Sequence, residues 1–210
     1  MHIVETVDLT RRFGELTAVD GFTLHVNVGE TFGLLGPNGA GKTTVIKMLT
    51  TLLPITSGTA RVAGFDVTRR ANDVRRSIGY VPQILSADGT LTGYENLLVF
   101  ARLYDLPHAE QEIRVREALQ VMGLSDAADR LVRTYSGGMI RRLEIAQSMI
   151  HRPRLLFLDE PTVGLDPLAR NAVWDYIRRL RTEYGMTIFL TPHYMEEAES
   201  LCDRVAIMHL

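Results

Sequence analysis

The stretch GPNGAGKTT, residues 36–44, fits G-x-x-x-x-G-K-[ST] and lies between a predicted strand and a predicted helix. Gly36, Pro37, Asn38, Gly39, Ala40 and Gly41 supply a backbone able to wrap a chain of phosphates. The Lys42 ammonium can reach the β- and γ-phosphates, and the hydroxyl of Thr43, followed by Thr44, can ligate Mg²⁺. A glycine turn that merely precedes a helix would require none of these side chains. A second stretch, LLFLDEP at residues 155–161, ends a buried apolar run in two acids. Asp159 can hold Mg²⁺, usually through water, and Glu160 can orient or deprotonate an attacking water. Taken alone, such acids also suit a solvated strand terminus; beside a phosphate loop they read as chemistry. Gln83 and His193 each follow a predicted strand, and MTIFLTPH brings His193 to the same sheet edge as Asp159. A third stretch, TYSGGMIRRLEIA at residues 134–146, puts Ser136, Gly137 and Gly138 at the start of an amphipathic helix. Free backbone N–H groups and the positive end of the helix dipole make that start a second anion site. Serine is also a good N-cap, and capping and binding are compatible.

These groups need a scaffold that carries strand ends and helix starts to one place. IVETVDL, FTLHVNV and ETFGLLG read as short strands over residues 3–35, and KTTVIKMLTTL as a helix running to Pro54. TARVAGFDV reads as a hairpin turning at Ala63-Gly64, and SIGYVPQ as a strand stopped by Pro82. From about Leu91 to Ile150 the pattern is helical, with Ile113, Leu119 and Met122 as apolar positions in the middle helix and Met139, Leu143, Ala146 and Ile150 along one core-facing face of the next. Thereafter RLLFLDE, a helix over 168–183 with Val173, Ile177 and Leu180 inward, MTIFLT, YMEEAESLC and RVAIMHL alternate strand and helix. Buried strands alternating with helices predict an α/β fold with a parallel sheet covered on both faces, and the helical stretch is an insertion within it. The chain stops at Leu210 inside an apparent strand, so a further C-terminal segment is expected.

The 210 residues suit one domain, and 46% apolar against 23% charged residues is an ordinary globular balance. A net charge of −2 gives no electrostatic reason to expect a nucleic-acid partner. Lys42 and Lys47 are the only lysines. The lone Cys202 excludes a disulfide framework and points to a reducing compartment. Neither a signal peptide nor a run of the roughly 18–20 apolar residues that span a bilayer is visible.

The phosphate loop, the SGG helix start, LLFLDEP, GLD and a histidine after a strand stand in the order found in ABC-type ATPases, and the resemblance covers essentially the whole chain. AVDGFTLHV, LTGYENL, YSGGM and PHYMEEAE resemble the daunorubicin-resistance type of ABC-2 exporter ATP-binding subunit. The resemblance implies one ABC-type ATP-binding domain over 1–210. Residues 1–90 and 151–210 would form a P-loop NTPase, RecA-like core with an N-terminal antiparallel β-subdomain, and about 91–150 a helical subdomain carrying SGG. It implies that Phe13 stacks on adenine, that Gln83 touches Mg²⁺ and faces a membrane subunit, and that Lys42, Gln83, Glu160 and His193 act in catalysis. Thr43, Gln83 and Asp159 would hold Mg²⁺.

In this family two such domains pair head to tail, and each ATP lies between one phosphate loop and the partner's SGG helix. Ser136, Gly137, Gly138 and Asp166 would then serve the partner's nucleotide, which explains why one small domain carries two anion sites. The implied protein is an ATP-hydrolysing motor subunit of an exporter. Its partners would be an integral-membrane permease and a second ATP-binding subunit, with no nucleic acid. It would sit in the cytoplasm on the inner face of the cell membrane. Met139 stands where many relatives have Gln, Phe13 replaces Tyr, and Pro192 replaces a Ser or Thr before the histidine, removing a backbone N–H. A DNA-repair ATPase would need large insertions between residues 44 and 154, a ribosome-acting one a second such domain, and a regulatory module without activity the loss of Glu160 or His193. None of these is found.

Overall fold

The computed structural model describes residues 1–209; Leu210, and with it the reading of a strand continuing to that residue, lies outside the described residues. β1 (His2–Phe13) and β2 (Leu16–Asn27) form an antiparallel hairpin. Both are longer than the sequence suggests, because the chain needs only Gly14, at φ 60°, and Glu15 to reverse. β3 (Thr31–Leu35) feeds the glycine-rich loop and α1 (Lys42–Leu49). That helix ends before Pro54: the Thr50 hydroxyl donates to the Ile46 carbonyl, 2.8 Å, and Thr51 turns to φ 64°. β4 (Ser57–Val62) and β5 (Phe65–Asp66) make the expected second hairpin, with Ala63 and Gly64 both at positive φ. β1 bulges at Asp8, where a Cβ on Gly58 would lie 2.2 Å from the Asp8 carbonyl oxygen, so only glycine fits there.

α2 (Ala71–Ser77), which the sequence reading missed, leads into β6 (Ile78–Val81). Its only buried residue is Val74, so it carries no apolar stripe to be found. α3 (Gly93–Leu103), α4 (His108–Val121) and α5 (Gly137–Met149) then separate β6 from β7 (Leu155–Asp159). α3 opens on a capping box: Glu95 N–H donates to the Thr92 hydroxyl, 3.1 Å, and the Glu95 carboxylate accepts from Thr92 N–H, 2.8 Å. In α4 the inward residues are Val115, Ala118 and Leu119, while Ile113, though apolar, is 59% exposed. α6 (Pro167–Tyr184), β8 (Thr187–Thr191), α7 (Met195–Leu201) and β9 (Arg204–Ile207) complete the alternation.

Two sheets result. One is antiparallel, ordered β2-β1-β4-β5, and the other is parallel, ordered β6-β7-β8-β3-β9. Every residue of β7 and β8 is buried, and their alternation divides two cores. Leu156, Leu158, Ile188 and Leu190 face Leu143 and Ala146 of α5 and Val173, Ile177 and Leu180 of α6. Leu155, Phe157 and Phe189 face Phe32, α1 and the antiparallel strands. α5 lies so close to β6 that a Cβ on Gly79 would come within 2.4 Å of the Ser148 carbonyl oxygen.

Just beyond α5, His151 stacks on Tyr104 with ring centroids 3.8 Å apart, and its Nε2 lies 2.9 Å from the Ile78 carbonyl oxygen. Burial pushes its imidazole down to about 4 from 6.5, the hydrogen bond to Ile78 opposing only in part. The fold therefore holds His151 neutral, while the unfolded chain protonates it below 6.5. Stability contributed by the neutral ring is full above that pH and is lost as pH falls toward about 4. A His151→Gln variant, which cannot titrate, should lose less melting temperature between pH 7.5 and 5 than the parent; parallel curves would exclude this residue as a source of acid sensitivity.

Candidate functional site

Parallel strands present their carboxyl ends on one edge, and there the candidate side chains meet. β3 enters the loop 36–44, whose conformation demands glycine. Gly36, Gly39 and Gly41 have φ of 155°, 87° and 96°, and a Cβ on Gly41 would lie 2.4 Å from the Ala18 carbonyl oxygen. Ala40 N–H donates to the Pro37 carbonyl, 3.2 Å, closing the turn. Lys42 is 7% exposed, and its Nζ donates to the Gly36 and Pro37 carbonyls at 2.8 and 3.2 Å. A buried ammonium held by neutral carbonyls, at the start of a helix, is suited to meet an anion.

Opposite it stand the acids of β7. Asp159 is register partner to Thr191 of β8, and the Thr191 hydroxyl donates to Asp159 Oδ1 at 2.7 Å. The Thr43 hydroxyl donates to the same oxygen at 3.3 Å. Glu160 follows at φ 47°, a left-handed conformation unusual for a long side chain. Its N–H is fixed by the Thr191 hydroxyl, 2.9 Å, and by the Thr191 carbonyl, 3.2 Å. The turn swings the carboxylate away from the strand axis into the cavity. There Glu160 Oε2 accepts from Gln83 Nε2 at 2.9 Å and lies 3.3 Å from His193 Nδ1, while Oε1 lies 3.9 Å from Lys42 Nζ. Backbone strain of this kind gathers at functional sites.

The cavity these residues share has a volume of about 620 Å³. Asn38, Gly39, Gly41, Lys42, Thr43 and Thr44 line one side, and Gln83, Glu160, Val163, Gly164, His193 and Tyr194 the other. Its size is that of a small-molecule site, and its chemistry is that of a phosphate chain: backbone N–H groups, an ammonium and an imidazole. Thr43, Asp159 and Gln83 offer oxygen donors of the kind hard divalent cations take, alongside phosphate oxygens. Among the described residues no group of three or more His, Cys, Asp and Glu side chains is placed to hold a metal ion.

Other candidates lie outside this cavity. Ser136 caps α5, its hydroxyl accepting from Met139 N–H at 3.3 Å. Gly137 and Gly138 press on the next candidate's neighbourhood: Cβ atoms on them would lie 3.2 Å from Leu165 and 3.0 Å from Ala169. Asp166 caps α6, accepting from Leu168 and Ala169 N–H at 3.0 and 2.9 Å. The Ser136 and Asp166 turns are thus packed together, apart from Lys42. Phe13, at the end of β1, is 42% exposed and carries the Arg11 guanidinium 4.4 Å above its ring.

Sequence reasoning missed the supports. Glu197 of α7 is fully buried, accepting from Thr162 Oγ1, 2.8 Å, Trp174 Nε1, 3.1 Å, and His193 N–H, 3.1 Å. Burial pushes its carboxyl above the ordinary value against those hydrogen bonds. The residue after Pro192 is therefore anchored by its own N–H. Arg141 and Glu144 of α5, spaced like a solvated ion pair, are both buried instead. Thr191 had one signal, a hydroxyl at the end of an otherwise apolar strand.

A family model described as ABC transporter matches residues 19–163. The daunorubicin/doxorubicin resistance ATP-binding protein DrrA of Streptomyces peucetius is 50% identical over 205 residues, 98% of this chain and 62% of its own length. The linearmycin resistance ATP-binding protein LnrL of Bacillus subtilis is 42% identical over 206 residues, 98% of this chain and 66% of its own. The chain thus spans less than two thirds of the length of these curated relatives. The solved structure of cbiO1 from Clostridium perfringens, described as part of the ABC transporter complex cbiONQ, superposes with a TM-score of 0.90 at 28% identity, covering 99% of this chain and 84% of that one. A glycine-rich loop facing paired strand-end acids, in a fold and sequence shared with these proteins, means that this chain belongs to the ABC transporter family, in which it is an ATP-binding domain.

Proposed function

We propose that this chain is the ATP-hydrolysing motor of an exporter, and that it works as a head-to-tail pair. The observation that carries the reading is the convergence on Glu160: Gln83, His193 and Lys42 all reach its carboxylate within one cavity. Lys42 and the loop N–H groups bind the phosphates, and Glu160 orients a water in line with the γ-phosphate and takes its proton as the P–O bond to ADP breaks. His193 donates toward the γ-phosphate. A Mg²⁺ ion beside Thr43, Gln83 and Asp159 would neutralise phosphate charge. Catalysis is mostly positioning and electrostatics, so the buried supports matter as much as the reacting groups.

The pairing accounts for the distance between the anion sites. The Ser136 helix start lines no part of the Lys42 cavity, so one nucleotide meets both only across two chains. Asp166, packed beside it, joins the same seam. On this reading adenine stacks on Phe13, whose ring Arg11 now covers. Exposed Ile84 and Leu85, next to Gln83, give a membrane permease an apolar place to press, together with the helices α3–α5 inserted at about 91–150 between 1–90 and 151–210. Among the described residues no helix is long and apolar enough to cross a membrane. On the exporter reading the membrane work belongs to that partner, and this chain docks on the partner's cytoplasmic side. Export follows the relatives, which include a Nod factor export ATP-binding protein of Paraburkholderia xenovorans.

Lys42→Ala should lower phosphate release from ATP by about 100-fold or more, the scale of losing one charge-stabilising donor; an unchanged rate would remove the loop from catalysis. Ser136→Arg should stop turnover while ATP affinity of the isolated chain stays within about twofold, and surviving turnover would argue against a composite site. For the pair itself, Glu160→Gln should run as a monomer without nucleotide and as a dimer with Mg-ATP in light scattering. A monomer under both conditions would count against pairing through this chain alone.

A further inference from the structure

Arg141 is the largest fully buried side chain, and nothing in the proposed chemistry uses it. It projects from α5 to the loop after β6. There one guanidinium nitrogen, Nη1, donates to the Pro82 carbonyl at 2.8 Å, and Nη2 to the Gln83 carbonyl at 2.8 Å. One turn later Glu144 takes the other end of the loop. Its Oε1 accepts from both the N–H and the hydroxyl of Ser86. The two side chains form an ion pair, Arg141 Nη1 to Glu144 Oε2 at 3.0 Å. Burial works against both charges, lowering the pKa of Arg141 and raising that of Glu144. Such a pair is a poor way to stabilise a fold, because desolvation offsets its attraction. Its geometry is a grip on loop backbone. The gripped loop sends the Gln83 side chain inward to Glu160, 2.9 Å, and leaves Ile84, 80% exposed, and Leu85 outward.

We propose that Arg141 and Glu144 are positioning residues that clamp loop 82–86 to α5, so that Gln83 meets Glu160 only while α5 keeps its place. The helix that begins at Ser136 and the loop that reaches the cleavage site then move as one body. Pressure on Ile84 and Leu85, or on the Ser136 helix start, reaches Glu160 through the same ion pair. The inference rests on the hydrolytic reading above.

The test replaces the pair together, Arg141→Met with Glu144→Leu, since removing one partner would leave a buried charge unpaired, whereas an apolar pair is often neutral or stabilising. Amide hydrogen exchange over residues 82–86, melting temperature, ATP affinity and kcat are measured on the same chain. Exchange in the loop should speed by about tenfold or more with the melting temperature unchanged or higher. ATP affinity should stay within about twofold while kcat falls about tenfold or more. Arg141→Lys, which keeps the charge facing Glu144 but reaches one carbonyl at a time, should fall between, and it carries the test if the double variant does not fold. A loosened loop with turnover at the parent rate would overturn the positioning role, and an unloosened loop would overturn the clamp. A parent chain that binds ATP and never hydrolyses it would overturn the proposed function first, and this inference with it.

Discussion

The hydroxyl of Thr191 is the point on which the site turns. It donates to Asp159 and accepts from the N–H of Glu160, so one buried group sets both acids at once. That is possible only because β7 and β8 run parallel in a register that puts Thr191 beside Asp159. The register in turn follows from two strands whose every residue is buried, where a one-residue slip would exchange Phe157 and Phe189 for Leu158 and Leu190 between two differently shaped cores. Packing several ångströms from the cavity thereby sets the direction of a carboxylate within it.

A second constraint operates from the α7 side. Pro192 has no N–H to give, yet the next residue is firmly held, because Glu197 accepts from its backbone. The same carboxylate accepts from Thr162, in the loop after the acids, and from Trp174 on α6. Three separate parts of the chain meet on one buried acid, which helps place the histidine relative to Glu160. Desolvation opposes the charge on Glu197, and the converging donors favour it.

Local pattern carried much of this fold. The alternation of buried strands and helices, the turn at Ala63-Gly64 and the inward residues of α6 were legible because each follows from spacing within one element. Lys42, Asp159 and Glu160 stood out as well, the first at the end of a glycine-rich loop and the acids at the end of an apolar strand, whereas Gln83 and His193, each a lone polar residue after a strand, took their roles from the family resemblance. What escaped depends on distant neighbours. α2 buries a single side chain, so no periodicity marks it. Ile113 looks like core until Val115 and Ala118 take the inward face. Arg141 and Glu144 have the spacing of an exposed ion pair, and only the path of residues 82–86, far away in sequence, encloses them. Glu197 sits in a run of acids that reads as solvated, and Trp174 makes it otherwise.

The left-handed backbone at Glu160 has one more implication, for how sequence and stability can vary there. At φ 47° a glycine would relieve about 1 kcal/mol of strain. The residue that suits the turn best is therefore one that does no chemistry. Selection for thermal robustness alone would drift this position toward glycine or asparagine and, on the proposed mechanism, silence the domain while improving its fold. A stabilised variant found in a screen blind to turnover should be inspected here before anywhere else, because this is where robustness and work pull the sequence in opposite directions.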